Sequence, residues 1–152
     1  MFNAFSISIE AAPDETELKQ LEAALFAFNR TAAGHEGYRP LVCLLRDAHG
    51  AMVGGITGSA HHRWFSIDLF WVREDVRGLG HGSRLLKTAE QEAIRHGCLR
   101  AHLDTHSFQA PGFYLKHGYE VFGELPDFPH GQSRLFMTKR LEDQTGAKQD
   151  AS

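Results

Sequence analysis

The densest chemical signal in the chain is Arg77-Gly78-Leu79-Gly80-His81-Gly82-Ser83. Alternating glycines let a backbone come close to a bulky anion, because no Cβ stands in the way. Where such a turn opens a helix, the free N–H groups of the first turn point at the anion and the helix dipole adds favourable potential. Arg77 would add a full positive charge and Ser83 a hydroxyl donor. The chemistry this pattern supports is capture of a phosphate or pyrophosphate. Three readings of the residues compete. A dinucleotide fingerprint would need glycine at position 83, where Ser83 stands, although Asp104 lies near the end of the next strand, where a ribose-binding acid belongs. A P-loop would need Gly-Lys-Ser/Thr, which does not occur. A glycine-rich turn with no ligand is the third, and this segment by itself leaves it open.

A second group of side chains could move protons. Asp68 lies in the apolar run Trp64–Val72, where strict alternation puts it on one face with Ser66 and Phe70. A carboxylate there could take a proton directly or through water, or simply hold a cationic substrate. His62, His102 and His106 are alternatives, since imidazole titrates near neutral pH. His102-x-Asp104-x-His106 also places three candidate metal ligands on one strand face. A zinc site needs suitable geometry, an open position and supporting partners, and nothing in the sequence identifies those partners. The expectation is therefore polar residues beside a cleft, with no metal.

The elements around these residues follow from periodicity. Phe5–Ile9 is apolar at alternate positions and reads as a short strand. Asp14 with Glu17 resembles a capping box, after which Leu18, Leu21, Leu25 and Phe28 recur at helical spacing. Asn29–Pro40 reads as a loop or broken helix. Leu41–Arg46, Ala51–Ser59 and Trp64–Val72 are strands joined by short polar turns, an antiparallel meander. Gly78–His96 is a helix whose apolar stripe is Leu85, Leu86, Ala89, Ala93 and Ile94, closed by Gly97. Leu99–Thr105 is a strand reached by crossover, hence parallel to Trp64–Val72. Pro111 opens a short helix that Gly118 ends, and Tyr119–Leu125 and Ser133–Leu141 are closing strands. The order is β-α-β-β-β-α-β-α-β-β: an α/β fold with a mixed sheet and helices packed on it. That fold does not suit the dinucleotide reading, because the glycines follow a meander and too little chain remains for repeated βαβ units.

The strand and turn Val72–Gly82, with Arg77-x-x-Gly80-x-Gly82 opening a helix, resembles motif A of the GNAT family of N-acetyltransferases. Ser107-Phe108-Gln109-Ala110-Pro111-Gly112-Phe113-Tyr114-Leu115-Lys116-His117-Gly118-Tyr119 resembles a second family pattern, N-x-x-A-x-x-(L/F)-Y-x-K-x-G-(F/Y), with Ser107 where asparagine is usual. The resemblance implies the GNAT fold, a central, mostly antiparallel mixed sheet whose parallel strand pair splays apart. It implies acetyl-CoA as co-substrate, with its pyrophosphate on Arg77, Gly78, Leu79, Gly80, His81, Gly82 and Ser83. Backbone groups near Phe70, Trp71 and Val72 would take the pantetheine amides, and Ser107, Phe113, Tyr114 and Lys116 would complete the coenzyme site. Tyr114 would donate a proton or a hydrogen bond to the departing sulfur, or else anchor its short helix. The implied reaction is direct acetyl transfer to a primary amine in a ternary complex. Non-catalytic acyl-CoA sensing is the alternative.

Composition agrees. The chain has 152 residues, 42% hydrophobic and 23% charged, which suits one soluble domain, expected over residues 1–141 with a polar tail over 142–152. A formal charge of -3 gives no reason to expect nucleic acid as a partner. Together with Glu36, Asp68 and Asp127 it suggests a small cationic amine acceptor, its pocket built from Asn29–Pro40, Ser59–Trp64 and Leu125–Ser133. No apolar run nears the roughly 18 residues a spanning helix needs, and Met1–Ala12 lacks a secretory pattern. Two cysteines, Cys43 and Cys98, make no disulfide framework. The expectation is a cytoplasmic protein with no membrane partner, and the family resemblance allows a homodimer through an edge strand at Ser133–Leu141.

Overall fold

In the computed structural model the described residues are 5–34 and 37–141. They fall into two compact units, one in each of these stretches. The first holds helix α1 (Glu15–Ala33). Asp14 caps it, its carboxylate accepting from the Thr16 N–H at 2.6 Å, while Glu15 and Glu17 put negative charge in the first turn. Backbone N–H groups of Thr16 and Glu17 hold the Asp14 carboxyl below its ordinary range. The strand expected at Phe5–Ile9 is absent, and the Ser8 hydroxyl bonds Glu10 instead. Alternation supplies two faces but no hydrogen-bonding partner, and without one the segment is not a strand. The loop expected over Asn29–Pro40 is shorter, because α1 runs on to Ala33.

The second unit is a six-stranded sheet with two helices. Its strands are β1 (Arg39–Arg46), β2 (Met52–His61), β3 (Trp64–Val72), β4 (Arg100–His106), β5 (Glu120–Pro126) and β6 (Ser133–Arg140), in the order β1-β2-β3-β4-β6-β5. All neighbours are antiparallel except β3 and β4, which run parallel. Since β6 lies between β4 and β5, the sheet ends on β1 and β5. Ser133–Leu141 is therefore not the edge expected from sequence. The β2–β3 turn uses His62 and Arg63, both at positive φ, as a two-residue hairpin twisting with its strands requires.

Helix α2 (His81–Arg95) lays Leu85, Leu86, Ala89 and Ala93 into a core with Ile56, Phe65, Ile67, Leu103 and Met137. Leu86 is fully buried, and truncating such a leucine to alanine costs about 2–5 kcal/mol. The helix starts at His81 rather than at Gly78, because Gly78 (φ 75) and Gly80 (φ 81) are left-handed and cannot continue a right-handed turn. Gly97 (φ 82) ends it, with the Cys98 N–H returning to the Ala93 carbonyl at 3.0 Å. Helix α3 (Pro111–Lys116) follows β4.

A buried polar cluster ties these elements together. Glu90 of α2 accepts from the Tyr119 hydroxyl at 2.9 Å and from Lys139 Nζ of β6 at 3.0 and 2.9 Å. Burial beside the Glu90 carboxylate pushes the Tyr119 hydroxyl far up, so it stays a donor.

Candidate active site

The site begins where the parallel pair comes apart. β3 and β4 are paired only from Trp64–Arg100 through Ser66–His102, although both strands run on for several residues. From Ile67 onward, the side of β3 facing β4 has no strand partner.

At the same place β3 carries a bulge. Thr57 of β2 pairs with Leu69 and Gly58 with Ile67, so Asp68 is an extra residue without a cross-strand mate. The insertion changes the phase of the strand. Phe65 and Ile67 are buried; beyond the bulge Phe70 and Val72 pack against that same core. Asp68 is therefore not on the face of Phe70, as strict alternation would have it. It is exposed, and the Ser66 hydroxyl donates to its carboxylate at 3.2 Å.

A cleft of about 530 Å³ occupies the opening. Phe70, Trp71 and Val72 of β3 form one wall; Arg77, Gly78 and Gly82 close the end at α2; Phe113 and Tyr114 of α3 form the floor. The Arg77 Nε donates to the Val72 carbonyl at 2.7 Å, which holds the guanidinium at the end of the strand. No side chain among the described residues caps α2, so the N–H groups of His81, Gly82 and Ser83 lack a side-chain partner there. Building a Cβ on Gly78 or Gly80 meets nothing within 4 Å, so these positions open onto free space. His81, next in line, has its Nδ1 buried without a hydrogen bond among the described residues.

Tyr114 is 8% exposed and meets Phe70, Phe113 and Tyr119 edge-on. Burial pushes its hydroxyl up to about 12.

Not every residue expected at the site lies in the cleft. Leu79, Gly80, His81 and Asp68 are not among its lining residues, and Leu79 is exposed. Ser83 sits 2.9 Å from Nε2 of His117, bridging α2 to the end of α3. Lys116 is exposed. The Ser107 hydroxyl donates to Gln132 at 2.7 Å and accepts the Ser133 N–H at 3.1 Å, pinning the end of β4 to the β5–β6 loop. Three lining residues were not among the candidates: Phe108, Gln109 and Ala110. Ala110 stands at the alanine position of the second family pattern and has a left-handed φ of 60 just before Pro111. Such a non-glycine backbone is worth noting beside a functional cleft.

The histidine–aspartate series on β4 is engaged elsewhere. Asp104 accepts from Arg134 Nε at 2.7 Å, His106 bonds Gln109 at 3.0 Å, and His102 meets the edge of Trp64. Among the described residues no three His, Cys, Asp or Glu side chains are arranged to hold a metal ion. Glu36 lies outside the described residues. Among those described, no helix is long and apolar enough to cross a membrane.

A parallel pair that splits and a glycine turn that opens a helix are the features the GNAT resemblance implied; the bulge at the split is an addition of the structure. The chain matches the acetyltransferase (GNAT) family over residues 5–119. It is 38% identical over 123 residues to a blasticidin-S acetyltransferase of Streptomyces morookaense, across 78% of this chain and 88% of that one. The crystal structure of an acetyltransferase from Bacillus cereus superposes with a TM-score of 0.82 at 33% identity, covering 88% of this chain and 98% of that one. That of a putative acetyltransferase from Agrobacterium tumefaciens also gives 0.82, at 29% identity, covering 90% and 99%. The chain belongs to the GNAT family and is an acetyltransferase.

Proposed function

We propose that this enzyme transfers the acetyl group of acetyl-CoA directly to the primary amine of a small cationic molecule, both substrates being bound at once. The observation that carries the reading is the continuity of the cleft. It runs from the glycine turn at the start of α2, along the unpaired end of β3 at Phe70–Val72, to Phe113 and Tyr114 of α3.

The residues fit an acyl-CoA. Its pyrophosphate needs positive potential and close backbone approach, and Arg77, Gly78, Gly80 and the first-turn N–H groups of His81, Gly82 and Ser83 offer both. An extended arm of amides can add to a parted sheet edge as a strand would, and the unpaired side of β3 at Phe70–Val72 offers that edge. Ser107 and Lys116 stand off the cleft and are left out of the proposed coenzyme set.

In the proposed mechanism an N–H of the β3 edge polarises the thioester oxygen. Asp68 takes the proton of the ammonium, directly or through water, with the Ser66 hydroxyl orienting it. Tyr114 donates a hydrogen bond to the sulfur as the C–S bond breaks. Burial pushes that hydroxyl up to about 12, so Tyr114 meets the sulfur as a protonated donor. The second amine proton leaves the tetrahedral intermediate through water to the departing thiolate, giving the amide and the CoA thiol. Acetyl-CoA is a cytoplasmic metabolite, so the proposed place of action is the cytoplasm.

Two measurements test this. Calorimetric titration with acetyl-CoA, CoA and NAD should show selective binding of the acyl-CoA. Thiol release with a panel of primary amines should identify the acceptor, and blasticidin S belongs in that panel because a relative is named for it. No acetyl-CoA binding, or binding without thiol release for any amine, would overturn the reading.

A further inference from the structure

We propose that the acceptor carries a planar conjugated group beside its amine and that Phe108 is the surface on which this group stacks. The inference rests on the acetyl-transfer reading and deepens it.

Phe108 lines the cleft yet is 59% exposed. Core packing does not account for a phenyl ring left so open. It is nevertheless held in orientation. The His106 imidazole lies against it at 5.1 Å between centroids and 20° between planes. The same imidazole lies against Phe128 at 5.9 Å and 13°. The Arg134 guanidinium is in turn 5.4 Å from the Phe128 ring, and Asp104 holds it there. Gln109 fixes His106 through both its backbone N–H and its ring Nδ1, each at 3.0 Å. Ser107 ties the Phe108 segment to the loop that carries Phe128.

The result is a succession of planar groups reaching the cleft, each positioned by the next. The coenzyme's amide arm satisfies itself on backbone N–H and C=O groups and has no use for such a surface, and the coenzyme's one planar group, adenine, stands on the far side of the pyrophosphate from the thioester. An ordered, exposed aromatic face is complementary to another planar π-system, or to a planar cation such as a guanidinium. The same series, outside the cleft lining, already holds one planar cation, Arg134, over the Phe128 ring.

The test compares matched primary amines on one enzyme: 2-phenylethylamine against 2-cyclohexylethylamine, and agmatine against 1,5-diaminopentane. The expected result is a kcat/KM about three- to tenfold higher for the planar member of at least one pair. Phe108→Leu should bring that ratio to about one, and Phe128→Leu, which leaves the cleft lining intact, should lower it. A ratio taken within one enzyme cancels any change in coenzyme binding. Equal rates in the wild type, or a preference that survives Phe108→Leu, would overturn the proposal. Failure of acetyl transfer itself would show separately, as no thiol release with any amine despite acetyl-CoA binding. Calorimetric binding of the same amines to the protein–CoA complex would then read the ratio, and equal or absent binding within both pairs would count against the proposal.

Discussion

Tyr114→Phe removes one hydroxyl and little else. The ring is buried among Phe70, Phe113 and Tyr119 at centroid distances of 6.1, 5.4 and 5.9 Å, contacts that phenylalanine keeps. The hydroxyl makes no hydrogen bond among the described residues, so no partner is orphaned and stability should change by less than about 1 kcal/mol. A hydrogen bond to a charged acceptor is worth about 1.5–3 kcal/mol. If the Tyr114 hydroxyl supplies that bond as charge gathers on sulfur, kcat should fall about 10- to 150-fold. The acetyl-CoA dissociation constant should change by about twofold at most, because the bond is made only as the reaction proceeds. The pH dependence has a definite sign. Burial raises the hydroxyl to about 12, so the donor form is fully present below the ordinary value near 10 and is lost only as pH rises through 12. Thiol release at saturating substrates, from about pH 6 to 10, should therefore show no falling limb that the substitution removes. Thermal melting run alongside separates chemistry from folding. Unchanged kcat, or a wild-type alkaline limb near neutrality that disappears in the variant, would refute the assigned role.

Other substitutions separate folding from binding. Gly82→Ala places a Cβ at ordinary contact, 3.5 Å from Phe113, in a backbone that accepts it, so urea denaturation should find the variant neutral or up to about 1 kcal/mol more stable. Calorimetry should find acetyl-CoA binding about tenfold weaker or worse, because the backbone can no longer approach the pyrophosphate. Gly80→Ala differs: at φ 81 it should cost about 1–2 kcal/mol by strain alone. Gly58→Ala would put a Cβ 2.0 Å from the Ser66 carbonyl oxygen and 2.9 Å from the Phe65 ring. It should destabilise by about 3 kcal/mol in urea and lose activity even where folded; wild-type stability would sink the account of the bulge. Lys139→Met strands the Glu90 carboxylate in the core and should cost about 3 kcal/mol in the same assay, while Glu90→Leu with Lys139→Met should recover much of the loss.

Features set by near neighbours in the chain were legible in the sequence. The α2 stripe, its glycine stop and the glycine turn before it all depend on residues within a few positions of one another. So does the Asp14 cap. The chain order also gave away the parallel pairing of β3 and β4, because a crossover helix separates them. Residues settled by distant partners were not legible. The Ser107 hydroxyl bonds Gln132 and Ser133, 25 and 26 residues on at the start of the neighbouring strand β6, and no local pattern announces those partners. Phe5–Ile9 alternates as a strand does and finds no strand to join. The planar series from Phe108 to Arg134 draws on β4, β6 and both adjoining loops, and no periodicity in any one of them announces it.

The bulge at Asp68 shows why this limit falls across the site itself. Nothing in Trp64–Val72 marks an extra residue, and its apolar positions fit unbroken alternation. The mark lies on the neighbouring strand, where Gly58 has no side chain and lets the Ser66 carbonyl come closer than any Cβ would allow. Once Asp68 is inserted, two consequences follow together. The phase shift sends Phe70 and Val72 to the α2 side, where they join the core and wall the cleft. The added twist of a bulged strand turns β3 away from β4 one residue after their last pair, at Ser66 and His102. The parting of two parallel strands and an exposed carboxylate on the bulge are then products of one inserted residue. On this account, straightening β3 would remove the coenzyme's edge and the proposed base at once, and that is why Gly58, which touches neither, is the position on which both depend.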